Sequence, residues 1–515
     1  MSLTPALSRT TDTHQRWFIV FIAVLTLWRI LFIILAPLDL APDEAYYWDW
    51  SRIPDWGYFS KPPMVAWLNL ISGSLLGSSV LAVRLPAALL TSVGLIGLFL
   101  VAQQMYDSRT ALWAALAATA APGACALGLL MTIDAPLLCC WSLALYTIWR
   151  AIETEHAHSG SPARWWLATT FCIGLGILSK QMMMAFPPLL LLFLALSPTD
   201  RFILKKPALT LAIIGAFAFL APVIWWNIGN DWITLRHTAH HFEGNRQGGF
   251  FFLITFGEFV GSQFLLISPL TYFLLITFAA TLVIKWRSCE RSTRLLLILS
   301  IVPLVVITLM SLRQRVHPNW PAAFYPAGMI LLAGWATGHI SSGSSVDRLR
   351  RLFKPGVAVG FVLALLTYAM PFAIDGLSLG GAKLDPTRRL HGWSEMGREV
   401  GAVLSRLPRP EMTFVLTQSR QLTSELAFYL PDQPRVFKYT PPHRRPDSQY
   451  DLWPGVEQKR GWDGLIVLLA GRTMPDEMAQ AFKSIEHVGD FDVTMGGMGY
   501  RSITLYLGHT LIAPP

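Results

Sequence analysis

Charged side chains are scarce in this sequence of 515 residues. Asp, Glu, Lys and Arg make up 14% of it, whereas a soluble domain carries about 25% charged residues. Hydrophobic residues make up 53%, and the mean hydropathy is +0.45. This composition excludes an ordinary soluble protein and indicates a polytopic α-helical membrane protein. The net charge of +9 would suggest a nucleic-acid partner for a soluble protein. In a membrane protein, an excess of Lys and Arg in cytoplasmic loops accounts for it, so we expect no nucleic-acid partner.

Cysteine is scarce as well. Four of the five cysteines lie in apolar runs, and the last, Cys289, lies in a basic loop. The C-terminal third therefore cannot be stabilised by a disulfide. Without a CxxC pair and accompanying histidines, a zinc site built on cysteine is not expected. His237, His240 and His241 have helical spacings that suit a metal, but the motif has no acidic partner, so we favour a solvated helix face. We predict no certain cofactor and no metal ligands, and leave open a requirement for a divalent cation.

Apolar runs long enough to cross a membrane recur along the first 374 residues. They lie at about 17–38, 81–103, 111–130, 134–150, 165–179, 182–196, 207–226, 250–267, 268–286, 295–312, 321–340 and 357–374. If all twelve crossed from a cytoplasmic N-terminus, the basic clusters at 285–294 and 348–354 would lie outside. The run 250–267 contains Glu258 and Gln263, which suit a lipid-facing span poorly. As a re-entrant or interfacial segment it leaves eleven spans, with sixteen Lys and Arg residues inside and seven in short external loops, as the positive-inside rule requires.

The chain becomes polar after Ile374. We therefore predict a transmembrane domain over residues 1–374 and a small α/β domain over residues 375–515, which the odd number of spans places on the external face. Helices are predicted at Trp393–Leu407, Gln421–Leu430 and Asp476–Ile485. Strands are predicted at Met412–Thr417, Arg435–Tyr439, Gly464–Leu469 and Ser502–Leu507.

Two acidic residues open the segment after the first apolar run. Pro42 is typical of a first helical turn, so Asp43 and Glu44 lie where the helix dipole favours negative charge. Aromatic residues follow at helical spacing: Tyr46, Tyr47 and Trp50. Lys61 then precedes two prolines, which favour a fixed, extended turn. Carboxylates, aromatics and a cation in one interfacial loop indicate a site that handles a lipid-borne substrate.

Further charged residues fall on the same predicted face. Asp134, Lys180, Arg313, Arg315 and His317 all lie in loops between spans. Charges near the hydrocarbon are costly unless paired or wet, so this cluster is a functional hypothesis. The three cations and the histidine, with Lys61, would supply the several donors that a phosphate needs. Asp43, supported by Glu44 or Asp134, would take a proton from an acceptor hydroxyl. The structural alternatives are that Asp134 only caps a helix and that Lys180 only snorkels to the interface.

Seven short motifs occur in order between residues 20 and 455. They are Asp-Glu-Ala-Tyr-Tyr-Trp (43–48), Trp-Gly-Tyr-Phe-Ser-Lys-Pro-Pro (56–63), Asp-Ala-Pro-Leu-Leu (134–138), Leu-Ser-Lys (178–180), His-Pro-Asn-Trp-Pro (317–321), Ser-Glu-Leu-Ala-Phe-Tyr-Leu-Pro (424–431) and Gln-Tyr-Asp-Leu-Trp (449–453). Together they resemble the bacterial branch of the protein O-mannosyltransferase-like glycosyltransferases, which includes the lipid A aminoarabinose transferase.

This resemblance implies the membrane-embedded GT-C fold and a polyprenyl-phosphate monosaccharide as donor. It implies that Asp43 matches the catalytic aspartate of the first loop and Asp134 the acidic residue of the second. Tyr58 and Lys61 match residues that face the donor phosphate. The aminoarabinose enzyme has an arginine three residues after its aspartate, where this chain has Tyr46. That difference leaves the sugar and the acceptor open.

The sequence therefore predicts a glycosyltransferase of the bacterial inner membrane. It would move one sugar from undecaprenyl phosphate to a glycolipid such as lipid A, or to a polysaccharide, at the periplasmic face. A lipid-linked sugar transporter or flippase is the first alternative, but it predicts mid-membrane charges and repeated halves, which the sequence lacks. An oligosaccharide ligase with a diphosphate donor is the second alternative, and a panel of donors would distinguish it.

Overall fold

Apolar helices form the first three quarters of the chain, and a mixed sheet with its own helices forms the rest. The computed structural model describes residues 12–157, 160–240, 251–343, 345–383, 385–441 and 444–513. Its α-helices are α1 (Thr13–Leu35), α2 (Pro42–Ser51), α3 (Met64–Leu76), α4 (Val80–Met105), α5 (Ser108–Thr119), α6 (Pro122–Leu127), α7 (Asp134–Ala157), α8 (Pro162–Ser179), α9 (Phe186–Leu196), α10 (Pro207–Ala218), α11 (Ala221–Gly229), α12 (Ile233–His240), α13 (Phe251–Ile267), α14 (Pro269–Ile284), α15 (Arg291–Met310), α16 (Tyr325–Thr337), α17 (Phe353–Gly376), α18 (Trp393–Arg406), α19 (Arg420–Tyr429) and α20 (Asp476–Gln480). The strands are β1 (Thr413–Thr417), β2 (Val436–Lys438), β3 (Asp463–Leu469), β4 (Phe482–Thr494) and β5 (Tyr500–Leu511).

Short 3-10 helices connect several of these elements. They are Gln181–Ala185, Arg201–Lys205, Trp286–Ser288, Trp320–Phe324, Ser345–Leu352, Arg388–Leu390, Pro410–Met412, Gln449–Asp451 and Glu457–Lys459.

Several helical segments are long and apolar enough to cross a membrane. In the described residues these are Thr13–Leu35, Val80–Met105, Asp134–Ala157, Pro207–Gly229, Arg291–Met310 and Ser345–Gly376. The bent pair α13–α14 makes a seventh if its two helices form one span. The protein is thus a polytopic helical membrane protein, as the composition predicts, while the count of eleven spans stays a prediction.

The helices α13 and α14 meet at an angle of 111°. Ser268 joins them with φ 94° and ψ 130°, a backbone conformation that breaks a helix. Pro269 then begins α14, where its missing N–H costs nothing. A bend of this size occurs in a broken span as well as in a re-entrant segment, so the re-entrant arrangement stays a prediction.

The predicted span at 111–130 is not one helix. Helix α5 ends at Thr119, and Pro122 begins the six-residue α6. Ala121 between them is extended, with φ −73° and ψ 124°, because the residue before a proline is disfavoured in the helical region. The apolar composition of this run was visible in the sequence, but the proline interrupts its helix.

Two glycines bring α4 close to α7. A Cβ on Gly94 would lie 3.2 Å from the Cα of Cys139, and one on Gly97 would lie 3.1 Å from the side chain of Leu143. Small residues at such a crossing let two helix backbones approach. On the other side of α7, Trp141 packs edge-on against Phe186 at 5.0 Å and Phe324 at 5.1 Å. The position of α7, which begins at Asp134, is therefore fixed from both sides.

The five strands form one sheet in the order β2-β1-β3-β5-β4. Strand β1 lies parallel to β2 and to β3, whereas β5 is antiparallel to β3 and β4. Helix α20 is shorter than the predicted helix Asp476–Ile485, because the chain turns into the 13-residue strand β4 at Phe482. Most of β4 is exposed or half-buried. Such an edge strand lacks the apolar alternation by which strands are recognised in a sequence.

The C-terminal region (residues 375–515) packs directly on α2. One apolar cluster contains Trp48 of α2 and Phe428 of α19, whose rings meet edge-on at 4.8 Å. The backbone N–H of Gln449 donates to the Tyr46 hydroxyl at 2.5 Å, and the Tyr450 hydroxyl donates to Asp49 at 2.8 Å. The first loop therefore lies between the helical bundle and the C-terminal region.

Candidate active site

Helix α2 carries the two adjacent carboxylates that the sequence singles out. Pro42 begins the helix, and Asp43 and Glu44 lie in its first turn, where the helix dipole stabilises negative charge. Their surroundings differ sharply: the Asp43 side chain is 55% exposed, and Glu44 is completely buried. Consecutive helical residues do not face the same direction, so only Asp43 is open to a substrate.

The buried Glu44 has all its carboxylate contacts inside the protein. Arg84 of α4 donates to it from Nη2 at 2.9 Å and from Nε at 3.1 Å. The backbone N–H groups of Ala41 and Met131 donate at 2.9 Å each. These bonds tie the first loop to α4 and to the segment before Asp134. The predicted supporting catalytic role of Glu44 is therefore corrected to a structural role, because its carboxylate does not reach solvent.

Asp43 is paired with an arginine from the C-terminal region. Arg420 Nη1 donates to Asp43 Oδ1 at 2.7 Å, and its guanidinium carbon lies 4.7 Å from the centre of the Tyr46 ring. Stacking on an aromatic face is a favourable position for a guanidinium. Ser419 caps α19 by accepting the N–H of Leu422, which fixes the first turn that carries Arg420. The ion pair orients Asp43 and leaves the carboxylate half exposed.

Asp134 is the second acidic residue of the site. It is buried, and Lys180 Nζ donates to its Oδ1 at 2.7 Å while Asn319 Nδ2 donates to its Oδ2 at 2.8 Å. This contact brings together three of the sequence motifs, from α7, from the end of α8 and from the segment before α16. A buried carboxylate needs such partners. Lys180 is thus held by Asp134, and its predicted contact with a donor phosphate stays a prediction.

Lys61 is a half-buried cation near these groups. Its ammonium makes no hydrogen bond or ion pair with any residue that the structure describes. Burial lowers the pKa of Lys61, and the charge of Lys180 lowers it further, while Asp43 and Asp134 oppose this shift. Two cations and two carboxylates therefore share one electrostatic environment, and Lys61 is the cation without a carboxylate partner among the described residues. A bound phosphate would supply one.

Tyr58 does not reach this environment. It is completely buried and stacks on Trp50 at 4.4 Å with an angle of 7° between the rings. Its hydroxyl lies 3.1 Å from the carbonyl oxygens of Trp50 and Ile53 and accepts the N–H of Asp55 at 3.0 Å. The predicted contact of Tyr58 with the donor phosphate is therefore corrected: the tyrosine shapes the loop that carries Lys61.

The cations of the later loop lie on the surface. Arg313 and His317 are exposed. Arg315 is 69% exposed and pairs with Glu258 of α13 at 3.1 Å, so it connects this loop to the bent pair of helices. Among the described residues of this loop, Asn319 is the one that donates to a candidate carboxylate, Asp134. Phosphate binding by Arg313, Arg315 and His317 stays a prediction.

The described residues do not fit a bound divalent cation. They contain no group of three or more His, Cys, Asp or Glu side chains that could hold a metal ion. The two carboxylates of the site, the half-exposed Asp43 and the buried Asp134, already pair with Arg420 and Lys180. His241 lies outside the described residues, and His237 packs against Phe59 at 4.9 Å. We therefore derive no step through a metal.

Two contributors to the site were missed in the sequence. Arg420 looked like an ordinary residue at the start of a helix, and Asn319 lay in a motif from which the charged residues were chosen instead. A sequence signal existed for Arg420, since it follows a parallel strand at its carboxyl end, where open α/β sheets place binding residues. For Asn319 the signal was its place between two prolines in a polar turn that interrupts apolar helices.

An apolar cavity begins beside Asp134. It has a volume of about 200 Å³, and its walls are predominantly apolar side chains of α4, α6, α7, α13 and α16. Asn319, the partner of Asp134, forms part of its lining, as do Gln263, Leu98, Leu138 and Tyr325. A cavity of this kind can hold a hydrocarbon chain. Its polar lining residues also include Arg29, and we call the part of the cavity at Asn319, which donates to Asp134, its polar end.

Comparisons with known proteins agree with this arrangement. Residues 60–226 match the family described as dolichyl-phosphate-mannose-protein mannosyltransferase. The chain is 26% identical over 437 residues to the lipid A galacturonosyltransferase RgtD of Rhizobium johnstonii. The aligned region covers 83% of this chain and 85% of RgtD.

Solved structures show the same fold. The crystal structure of ArnT from Cupriavidus metallidurans in the apo state has a TM-score of 0.62 and 19% identity and covers 96% of this chain and 98% of ArnT. The structure of that protein bound to undecaprenyl phosphate has a TM-score of 0.61 and 19% identity, with coverage of 95% and 98%. The resemblance inferred from the seven motifs is therefore confirmed.

Proposed function

We propose that this chain, a membrane glycosyltransferase with the fold of ArnT, transfers one sugar from a polyprenyl-phosphate donor to lipid A. The relative RgtD is named for transfer to lipid A, and ArnT binds undecaprenyl phosphate. Undecaprenyl phosphate is therefore the carrier that we assign to the donor. RgtD is named for galacturonic acid, which makes an acidic sugar the first donor to test.

The apolar cavity supports a lipid-linked donor. It lies between helices, and its lining includes Asn319, which contacts Asp134. A polyprenyl chain in this cavity would place its phosphate at the polar end. Lys61 is the nearby cation without a carboxylate partner in the described residues, and a phosphate would restore its charge balance. We assign Lys61 to the donor phosphate and Asp134, with Lys180 and Asn319, to the wall that positions it.

Asp43 is the base in this proposal. An acceptor hydroxyl attacks the anomeric carbon of the sugar as the bond from that carbon to the phosphate oxygen breaks. The hydroxyl proton passes to the Asp43 carboxylate, and polyprenyl phosphate leaves with the bonding electrons. Cations near the leaving phosphate stabilise its developing charge. The Arg420 contact holds Asp43 Oδ1 and orients the carboxylate for this transfer.

The proposal extends to the arrangement in the membrane. We place residues 1–374 in the bacterial inner membrane as the catalytic domain, with eleven spans and a cytoplasmic N-terminus, and residues 375–515 on the periplasmic face. The packing of the C-terminal region on α2 supports one common face for both parts. A reporter fused near residue 290 should report a cytoplasmic position, and an external one would contradict this topology.

The observation that carries the function is the position of Asp43: an exposed carboxylate oriented by Arg420, close enough to Lys61 to influence its pKa. The test is sugar transfer by purified protein from undecaprenyl-phosphate sugars, with undecaprenyl-diphosphate sugars as the second arm. Asp43→Asn should abolish transfer from the monophosphate donor. Asp231→Asn is the matched control, because Asp231 is exposed in a turn whose positive φ asparagine tolerates. Full activity of Asp43→Asn would exclude this base, and transfer from diphosphate donors alone would favour the ligase alternative.

A further inference from the structure

A second cavity lies at the edge of the sheet in the C-terminal region. It has a volume of about 720 Å³ and lies where the parallel strands β1, β2 and β3 end. Its walls are the segments that follow those strands: Gln418–Leu422, Lys438–Pro441 and Gly471–Thr473. In open α/β sheets, ligands bind outside the carboxyl ends of parallel strands. We call this cavity the sheet-edge crevice.

The sheet-edge crevice is strongly basic. Arg420, Lys438, Arg444 and Arg472 line it, against the single carboxylate of Asp447. Its polar character contrasts with the apolar cavity beside Asp134, which the lipid chain of the donor would occupy. The planar guanidinium group can donate two hydrogen bonds at once to a phosphate or a carboxylate, so a cluster of such groups suits an acidic ligand.

The cations of the crevice differ in how far they are neutralised. Lys438 is buried and held by Asp451 at 2.7 Å and by Asp447 at 2.9 Å. Arg444 is exposed, and its side chain pairs with Asp447 at 3.1 Å and with no other residue that the structure describes. The exposed Arg472 makes no side-chain hydrogen bond or ion pair with any described residue. Arg444 and Arg472 are therefore the guanidinium groups with the most capacity left for a ligand.

Arg420 connects the crevice to the catalytic carboxylate. It lines the crevice and also donates to Asp43 at 2.7 Å. A molecule in the crevice therefore contacts the residue that orients the proposed base. The volume exceeds that of a single phosphate group and falls within the usual range of pockets for small molecules, about 300–1,000 Å³. A saccharide headgroup that carries acidic groups fits both the size and the charge.

We propose that the sheet-edge crevice binds the acidic saccharide headgroup of the acceptor, through phosphate or carboxylate groups, and presents its hydroxyl to Asp43. This inference rests on the proposed glycosyltransferase function. The donor is assigned elsewhere, since its phosphate has Lys61 and its chain has the apolar cavity beside Asp134. The C-terminal region is thereby part of the acceptor site.

The experiment measures binding without transfer, so that it can fail independently of the proposed function. Purified full-length protein is titrated with phosphatidylcholine vesicles that contain phosphorylated lipid A, lipid A freed of its phosphates, or undecaprenyl phosphate. The wild type should bind phosphorylated lipid A more tightly than the phosphate-free form. The affinity of the double variant Arg444→Gln/Arg472→Gln for phosphorylated lipid A should be at least about tenfold lower, which is the loss expected from a single charged hydrogen bond.

Controls make the result specific. Arg406→Gln removes the same charge from an exposed position at the end of α18 and should bind like the wild type. Arg444→Lys/Arg472→Lys keeps the charges and should retain more affinity than the glutamine pair. An Arg444→Gln/Arg472→Gln protein that binds phosphorylated lipid A like the wild type would overturn the inference. A selective loss of affinity for undecaprenyl phosphate would overturn it too, by making the crevice part of the donor site.

Discussion

Replacing Glu44 with Gln should destabilise the protein far more than replacing its neighbour Asp43 with Asn. Glu44 is completely buried, and the Arg84 side chain beside it is 3% exposed. Glu44→Gln leaves the Arg84 charge buried without its counterion, a change that costs about 3–5 kcal/mol in other proteins. The Asp43–Arg420 pair is half exposed, and such surface pairs contribute about 0–1 kcal/mol.

The assay is the midpoint of thermal unfolding in detergent, followed by tryptophan fluorescence, together with sugar transfer at a temperature where both variants are folded. Glu44→Gln should lower the midpoint by several degrees. Asp43→Asn should keep the midpoint near that of the wild type and lose transfer. The two adjacent substitutions thus separate a structural carboxylate from a catalytic one.

A double-mutant cycle tests whether the loss of the Glu44–Arg84 ion pair causes the destabilisation. Arg84→Gln leaves Glu44 with the backbone N–H groups of Ala41 and Met131 as its hydrogen-bond donors among the described residues. This variant should also be less stable than the wild type. The double variant Glu44→Gln/Arg84→Gln should cost clearly less than the sum of the two single changes, because contacting residues are not additive. Equal midpoints for Glu44→Gln and Asp43→Asn would refute the reasoning.

Two pH effects follow from the buried ionisable groups. Burial raises the pKa of Glu425 well above its usual value, with Asp39 and Glu44 adding to the shift, and neither carboxylate oxygen has a hydrogen-bond partner in the described residues. The folded state thus holds a proton that the unfolded state releases, so the free energy of unfolding should fall as the pH rises above about 4.5, by at most about 1.4 kcal/mol per pH unit. In Glu425→Gln, thermal unfolding should depend less on pH. The same pH dependence in the variant and the wild type would contradict this role of Glu425. The pKa of Lys61 is lowered by burial and by Lys180, so Lys61 loses its charge at a lower pH than an ordinary lysine. The KM of the wild type for the donor should therefore rise in mildly alkaline buffer, whereas the KM of Lys61→Arg should not change with pH. If the KM of the two proteins depends on pH in the same way, Lys61 is excluded as a phosphate ligand.

Local patterns predicted much of the C-terminal region. The strand β1 and the helices α18 and α19 begin and end within one residue of their expected positions, because each has a clear apolar period and a strong boundary. Strand β4 was missed, since an exposed edge strand carries little apolar signal. The same limit applies to the interrupted run at 111–130, whose composition indicates a span and whose Pro122 divides it.

The site was predicted in part, and the errors share one cause. Asp43, Asp134 and Lys180 were chosen as candidates because charges are rare in apolar sequence and therefore conspicuous. The sequence does not show which of two adjacent carboxylates faces inward, and so Glu44 was grouped with Asp43. Arg420 was missed because the pairing joins residues 377 positions apart. Such contacts depend on the packing of whole elements, which no local pattern encodes.

The distance along the chain between α2 and its partners also determines the order of assembly. Asp43, Tyr46 and Asp49 emerge from the ribosome early, whereas Arg420, Gln449 and Tyr450 are synthesised about 377–403 residues later. Contacts of such long range form late in folding. The Arg420 contact that orients Asp43 can therefore form only once synthesis has passed residue 420, when most of the chain has already been made.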